Sequence, residues 1–137
     1  MFTPSPGDIP YKAYIAVLTA WGLAALAKII WQYYKGEPIT FFTLGGMPSV
    51  HASLVGSLFL SIYYETGFSI LLLAVGVFGG LVFRDAWGVR WEVSRHSIAL
   101  NKLMATKDYE RTGHTKLEAA AGIVFGFVVT VAVYAIL

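Results

Sequence analysis

Three kinds of side chain in this sequence could act together on one group. His51 closes the run Gly45-Gly46-Met47-Pro48-Ser49-Val50-His51 at the mouth of an apolar stretch. His114 stands at the mouth of another, four residues before Glu118. Lys28, Lys35, Asp85 and Arg90 lie near the ends of two further stretches. An imidazole can attack phosphorus, cations can hold the oxygens of a transferring phosphoryl group, and a second imidazole can protonate what leaves. The set therefore points to phosphate-ester chemistry beside a bilayer.

Each member has a plainer reading as well. Positions four apart share a helix face, so Glu118 could accept from one nitrogen of His114 and leave the other to attack; the plain alternative is a helix-starting histidine beside a solvated glutamate. Ser49 and the backbone N–H groups after it form a natural anion site at a helix N-terminus, where His51 could act as acid. They equally read as a capping serine and an interfacial histidine. Asp85 near a membrane boundary needs a partner. It could pair with an arginine, the simpler outcome, or bind a divalent metal through oxygen.

Positioning these groups falls to long apolar elements. The chain has 137 residues, 57% apolar and 13% charged, against roughly 45–50% and about 25% for soluble domains. That excess, gathered in runs, indicates an integral membrane protein. There is no cysteine, which excludes disulfides, a thiolate nucleophile and cysteine-based metal sites. Met1 to Pro10 holds three prolines and no basic residue, so a cleavable signal peptide is not expected and the first apolar run should remain as a helix. The expected fold is an all-α membrane-embedded bundle forming a single domain over 1–137. It should have about four transmembrane helices near 13–34, 49–64, 68–89 and 117–137, and a polar loop near 84–116. Within that loop Trp91, Val93, Ile98, Leu100 and Leu103 suggest an amphipathic interfacial segment, or equally a solvated loop helix. Turn signals fall at Gly36-Glu37-Pro38, Gly45-Gly46 and Glu65-Thr66-Gly67. Ser53/Ser57, Gly76/Gly80 and Gly122/Gly126 have the small-xxx-small spacing of close helix packing.

Alternation of four helices puts the first and third connections on one face. That face carries Lys28, Lys35, Arg84, Arg90, Arg95, Lys102, Lys107, Arg111 and Lys116, and the other only Lys12. The positive-inside rule makes the basic face cytoplasmic and leaves both termini outside. Trp31, Tyr33, Tyr34, Tyr63, Tyr64, Trp87 and Trp91 fall near the boundaries as an aromatic belt would.

The marks GGMPSVH at 45–51, RDAWGVR at 84–90 and GHTKLE at 113–118, in this order, resemble the divergent PAP2 family (DUF212). That is a small branch of the type 2 phosphatidic acid phosphatase superfamily, which also includes vanadium haloperoxidases. The superfamily carries Lys-x6-Arg-Pro, Pro-Ser-Gly-His and Ser-Arg-x5-His-x3-Asp. Here Lys28 and Lys35 have the first spacing, Pro48-Ser49-Val50-His51 is similar to the second, and His114 with Glu118 to the end of the third. The resemblance implies that His114 is the nucleophile, Glu118 its orienter and His51 the general acid, with Lys28, Lys35 and Ser49 on phosphate oxygens. Asp108, after Lys107, occupies the place of the third motif's arginine. Arg90 or Arg111 would replace it, and Arg90 belongs to the family mark. Membrane members of the superfamily usually have six helices, so a homodimer partner would supply what four lack.

The function implied is a membrane phosphatase for a lipid phosphate or isoprenoid diphosphate, working through a phosphohistidine and needing no cofactor. Two alternatives stay open. In one, Asp85 with Glu118 or His114 holds Mg²⁺. In the other, the same basic pocket binds anionic lipid headgroups without turnover. No nucleic-acid partner is expected.

Overall fold

A computed structural model describes residues 10–36, 47–105 and 114–137. Pro4 and Pro6, Glu37, Pro38, Gly45, Gly46, Lys107, Asp108, Arg111 and Gly113 therefore lie outside the described residues. Among the described residues the protein is an all-α bundle: α1 (Tyr11–Lys35), α2 (Val50–Thr66), α3 (Ile70–Arg84), a π-helical turn (Asp85–Val89), α4 (Arg90–Met104) and α5 (Lys116–Ile136).

The bundle is small and polar inside and apolar outside. α1 buries Ala16, Ala20, Ala24, Lys28 and Gln32, a four-residue spacing that keeps them on one face. α2 buries Ser53, Ser57 and Ser61 in the same rhythm, with Ala52 and Gly56 beside them. α5 answers with Ala119, Gly122, Gly126 and Thr130. Leu18, Trp21 and Leu26 of α1, Leu73 and Phe78 of α3, and Val124 and Val128 of α5 are exposed. Lipid is as apolar as leucine, so helices in it associate through close packing and hydrogen bonds rather than by hiding apolar surface.

The tightest seam joins α2 to α5. A Cβ on Gly122 would meet the Ser49 carbonyl oxygen at 2.5 Å, and one on Gly126 would meet the Ser57 nitrogen at 2.8 Å. Deeper in, the Ser57 and Thr130 hydroxyls share a 2.7 Å hydrogen bond, and the Tyr134 hydroxyl donates to Glu65 at 2.5 Å. α1 packs against both α2 and α5, whereas α3 packs chiefly on α2 among the described residues. On α3 the residues turned to α2 are Gly76, against Phe59, and Gly79, against Val55, while Gly80 faces open space.

Among the described residues three helical segments are long and apolar enough to cross a membrane: Tyr11–Lys35, Ile70–Met104 and Lys116–Ile136. α2 has 17 residues, or about 25 Å of helix, at the short end of what spans a bilayer. The polar stretch after residue 84 differs from expectation. It does not begin with a loop: α3 continues through the π-turn into α4 as one helical segment of 35 residues, about 50 Å long. A hydrocarbon core of about 30 Å cannot hold that length. Charge at Arg84 ends the apolar run, and backbone hydrogen bonding carries the helix on. Trp91, Val93, Ile98, Leu100 and Leu103 are all exposed, and α4 instead buries Ser94 and Asn101.

Candidate functional site

One end of the bundle gathers the end of α1, the start of α2, the π-turn and the start of α5. Two backbone hydrogen bonds fasten three of them. Ser49 N–H donates to the Glu118 carbonyl at 3.4 Å, and His114 N–H donates to the Ala86 carbonyl at 3.0 Å. The segments around residues 49, 86 and 114–118 are thus tied through main-chain atoms. The charged groups that act on His51 include Arg90, His114, Lys28 and Asp85. The sequence expectation had placed these residues, together with Lys35 and Glu118, on one membrane face.

His114 does not sit on a helix, as its four-residue spacing from Glu118 had suggested. α5 begins at Lys116 with Thr115 as its N-cap, and His114 precedes the cap. Glu118 reaches back: its Oε2 accepts from Thr115 N–H at 2.8 Å, while Thr115 Oγ1 accepts from Glu118 N–H at 3.2 Å. This reciprocal capping box satisfies two otherwise orphaned donors. The same Oε2 lies 3.8 Å from His114 Nδ1, beyond hydrogen-bond range. His114 is 6% exposed, and among the described residues its buried Nδ1 has no hydrogen-bond partner.

A family model for the divergent PAP2 family matches residues 11–129. The chain belongs to the divergent PAP2 family. Neither a curated protein nor a solved structure matches it. The match covers every helix that shapes this end of the bundle. This divergent PAP2 protein is therefore a phosphatase-related membrane protein built as an all-α bundle.

Its remaining candidate residues divide by position. Lys28 is buried at 9% exposure near the end of α1. Lys35 is exposed and its ammonium lies 5.4 Å from the centre of the Trp31 ring. Ser49 is fully buried, and its Oγ accepts from Ala52 N–H at 3.5 Å as the N-cap of α2. Arg90 and Asp85 meet across the π-turn: Arg90 Nε donates to Asp85 Oδ2 at 2.6 Å, and Arg90 N–H donates to the Asp85 carbonyl. In an α-helix, residues five apart point about 140° away from each other. The wider π-turn brings them into line, as such turns often do near functional sites. Asp85, the candidate Mg²⁺ ligand, thus pairs with an arginine, and among the described residues no three acidic or histidine side chains converge as a metal-binding group.

Sequence reasoning missed three features of this site. Thr115 was signalled by its Thr-x-x-Glu spacing to Glu118, a capping-box signature. The Ala86 carbonyl carried no sequence signal. Nor did a cleft of about 550 Å³ between the π-turn and α5, lined by Arg84, Trp87, Trp91, Glu92, His114 and Lys116 among others.

Proposed function

We propose that this protein hydrolyses a membrane lipid phosphate monoester or an isoprenoid diphosphate through a phosphohistidine intermediate, on the cytoplasmic face. The observation that carries this reading is the convergence of two histidines, Lys28 and Arg90 at one end of the bundle, tied by main-chain bonds through Ser49, Ala86, His114 and Glu118. Family membership supports phosphatase-type chemistry. Sidedness rests on charge: Lys28, Lys35, Arg84, Arg90, Arg95, Lys102 and Lys116 lie towards this end and Lys12 towards the other.

Nδ1 of His114 faces the Glu118 carboxylate, which leaves Nε2 to attack. Its lone pair forms a P–N bond as the P–O bond to the leaving group breaks. The leaving oxygen takes a proton from the His51 imidazolium and departs as an alcohol from a monoester, or as an isoprenoid monophosphate from a diphosphate. Lys28 and Arg90 offset the charge on the equatorial oxygens. Water then attacks phosphorus, neutral His51 accepts its proton, the P–N bond breaks and inorganic phosphate leaves. Glu118 stabilises the positive charge on the phosphorylated imidazole. No step requires a resident cofactor.

The test is phosphate release from lipid substrates by purified protein in vesicles. Loss of release in both His114→Ala and His51→Ala, with vanadate inhibition and indifference to chelator, is the expected result; vanadate resembles the five-coordinate transition state. Full release by both variants would remove the proposal. Loss on chelation with recovery on adding Mg²⁺ would favour a metal-assisted route. One observation favours a non-enzymatic reading: the 3.8 Å gap between His114 and Glu118. Headgroup binding without release would select it.

A further inference from the structure

The opposite end of the bundle carries a carboxylate that the mechanism above leaves unused. Glu65 lies fourteen residues after His51 on α2, about 21 Å along the helix. It belongs to the last turn of α2, and Tyr134 to the last turn of α5. The Tyr134 hydroxyl donates to Glu65 Oε1 at 2.5 Å, a length typical of bonds to an ionised carboxylate. That bond holds the side chain but leaves its charge in place. Among the described residues no lysine, arginine or histidine pairs with Glu65, and the cation they contribute at this end is Lys12 of α1. Neither α2 nor α5 has a basic residue in its last turn, although each helix C-terminus adds roughly half a negative charge. A carboxylate at a membrane boundary is costly without a counterion or solvent.

Aromatic rings stand beside this carboxylate. The Tyr64 and Tyr134 centroids are 4.7 Å apart, and Tyr63 lies 6.2 Å from Tyr64 and 5.3 Å from Phe68. Tyr63, Tyr64 and Phe68 are exposed. Ring faces attract cations, organic ammonium groups among them. A bare divalent ion fits less well: calcium takes roughly six to eight oxygens, and among the described residues no three acidic or histidine side chains converge. One turn below Glu65, Ser61 is fully buried beside Tyr134, and its Oγ has no hydrogen-bond partner among the described residues. A buried polar group left unsatisfied calls for an explanation. A cation that took over Glu65 would release the Tyr134 hydroxyl to Ser61. We propose that Glu65, Tyr64 and Tyr134 form a site for an organic ammonium group, on the membrane face opposite His51 and His114. Tyrosines at helix ends sit at headgroup depth, where an amine-bearing phospholipid presents that group. Free amines share the chemistry. This site stands apart from the phosphatase reading: absence of phosphate release leaves it untouched.

The experiment follows thermal unfolding of the full chain in detergent during titration with a probe, because a ligand of the folded state raises Tm with its concentration. The probes are short-chain phosphatidylethanolamine, short-chain phosphatidylglycerol, free ethanolamine and sodium chloride. Any phospholipid can also meet the basic end, so the readout is the part of each rise that depends on Glu65. Glu65→Gln keeps an oxygen for the Tyr134 hydroxyl and removes the charge. It should weaken the apparent Kd for phosphatidylethanolamine about tenfold and leave any response to phosphatidylglycerol or sodium unchanged. Tyr64→Leu should weaken the same Kd about fivefold, whereas Tyr134→Phe, which keeps the ring, should hold it within about threefold. A Glu65-dependent rise with free ethanolamine identifies the amine alone as the ligand; one confined to the lipid identifies the headgroup. An equal Glu65-dependent rise with phosphatidylglycerol or sodium overturns the site, as does none with either amine. Should Glu65→Gln fail to fold, Tyr64→Leu is read in the same way against the same probes.

Discussion

Gly122→Ala should damage chemistry more than folding. Gly122 lies one helical turn beyond Glu118. A Cβ there would meet the Ser49 carbonyl oxygen at 2.5 Å and the Ala52 Cβ at 2.8 Å. The first is backbone and cannot swing aside. To restore the 3.4 Å of ordinary contact, α2 and α5 must part locally by a little under an ångström. Ser49 is also the residue whose N–H reaches the Glu118 carbonyl at an already long 3.4 Å, so the parting falls on a tie that holds the two histidine-bearing segments together. Overpacking of this kind costs about 1–3 kcal/mol, offset by about 0.8–1 kcal/mol from the better helix propensity of alanine. The net loss of stability should be about 2 kcal/mol or less. Misplacing catalytic groups by about 1 Å, in contrast, can cost about a hundredfold in rate. Gly80→Ala is the control. Its Cβ would meet nothing within 4 Å, so it should gain up to about 1 kcal/mol with turnover unchanged. The assay pairs phosphate release with thermal unfolding in the same detergent. Wild-type turnover and stability in Gly122→Ala would refute the reasoning, as would equal damage from Gly80→Ala.

Three further outcomes follow from the geometry. Thr115→Ala removes the hydroxyl of the capping box and should cost about 1 kcal/mol of stability in thermal unfolding, with Thr115→Ser close to wild type. Asp85→Asn removes the anion bonded to Arg90 Nε at 2.6 Å and should raise KM for a phosphate substrate about tenfold with a smaller change in kcat; an unchanged KM would show that Arg90 is held by other means. Ser57→Ala removes the hydroxyl that meets Thr130 at 2.7 Å, while the Thr130 hydroxyl still donates to the Gly126 carbonyl at 2.9 Å, so the cost should be about 1 kcal/mol, and the pair Ser57→Ala/Thr130→Val should cost less than the sum of the single changes in a double-mutant cycle.

Apolar runs in the sequence locate α1, α2 and α5, because a membrane span must be apolar over nearly its whole length. The end of α3 was not legible for a related reason. Hydropathy marks where lipid ends, not where backbone hydrogen bonding ends, so the third span was expected to stop near residue 89, with an amphipathic or solvated helix in a polar loop beyond it, rather than to run on as one helix to Met104. Gly76 and Gly80 were paired by spacing, yet Gly79 takes the packed place. Residues three and four apart lie on nearly the same face, and only the partner helix decides between them. His51 and His114 were readable as a pair because alternation of the spans across the membrane puts the helix ends that carry them on one face. The capping role of Glu118 was present in the letters Thr-x-x-Glu but was overshadowed by the histidine beside it. The cleft was not legible at all, since it depends on which side of a π-turn Trp87 and Trp91 emerge.

The two main-chain ties at this end of the bundle bear on how such a site can change. Neither bond uses a side chain: one joins Ser49 to Glu118 and the other joins His114 to Ala86, all through N–H and C=O. The frame is therefore indifferent to much of the lettering mounted on it. Replacing glycine by Val50, or aspartate by Glu118, alters what the site presents without unfastening the segments that present it. A scaffold of that sort can be re-tooled for a different headgroup one residue at a time, each intermediate still assembled. Grafting experiments should accordingly begin with the side chains and leave the carbonyls of Ala86 and Glu118 where they are.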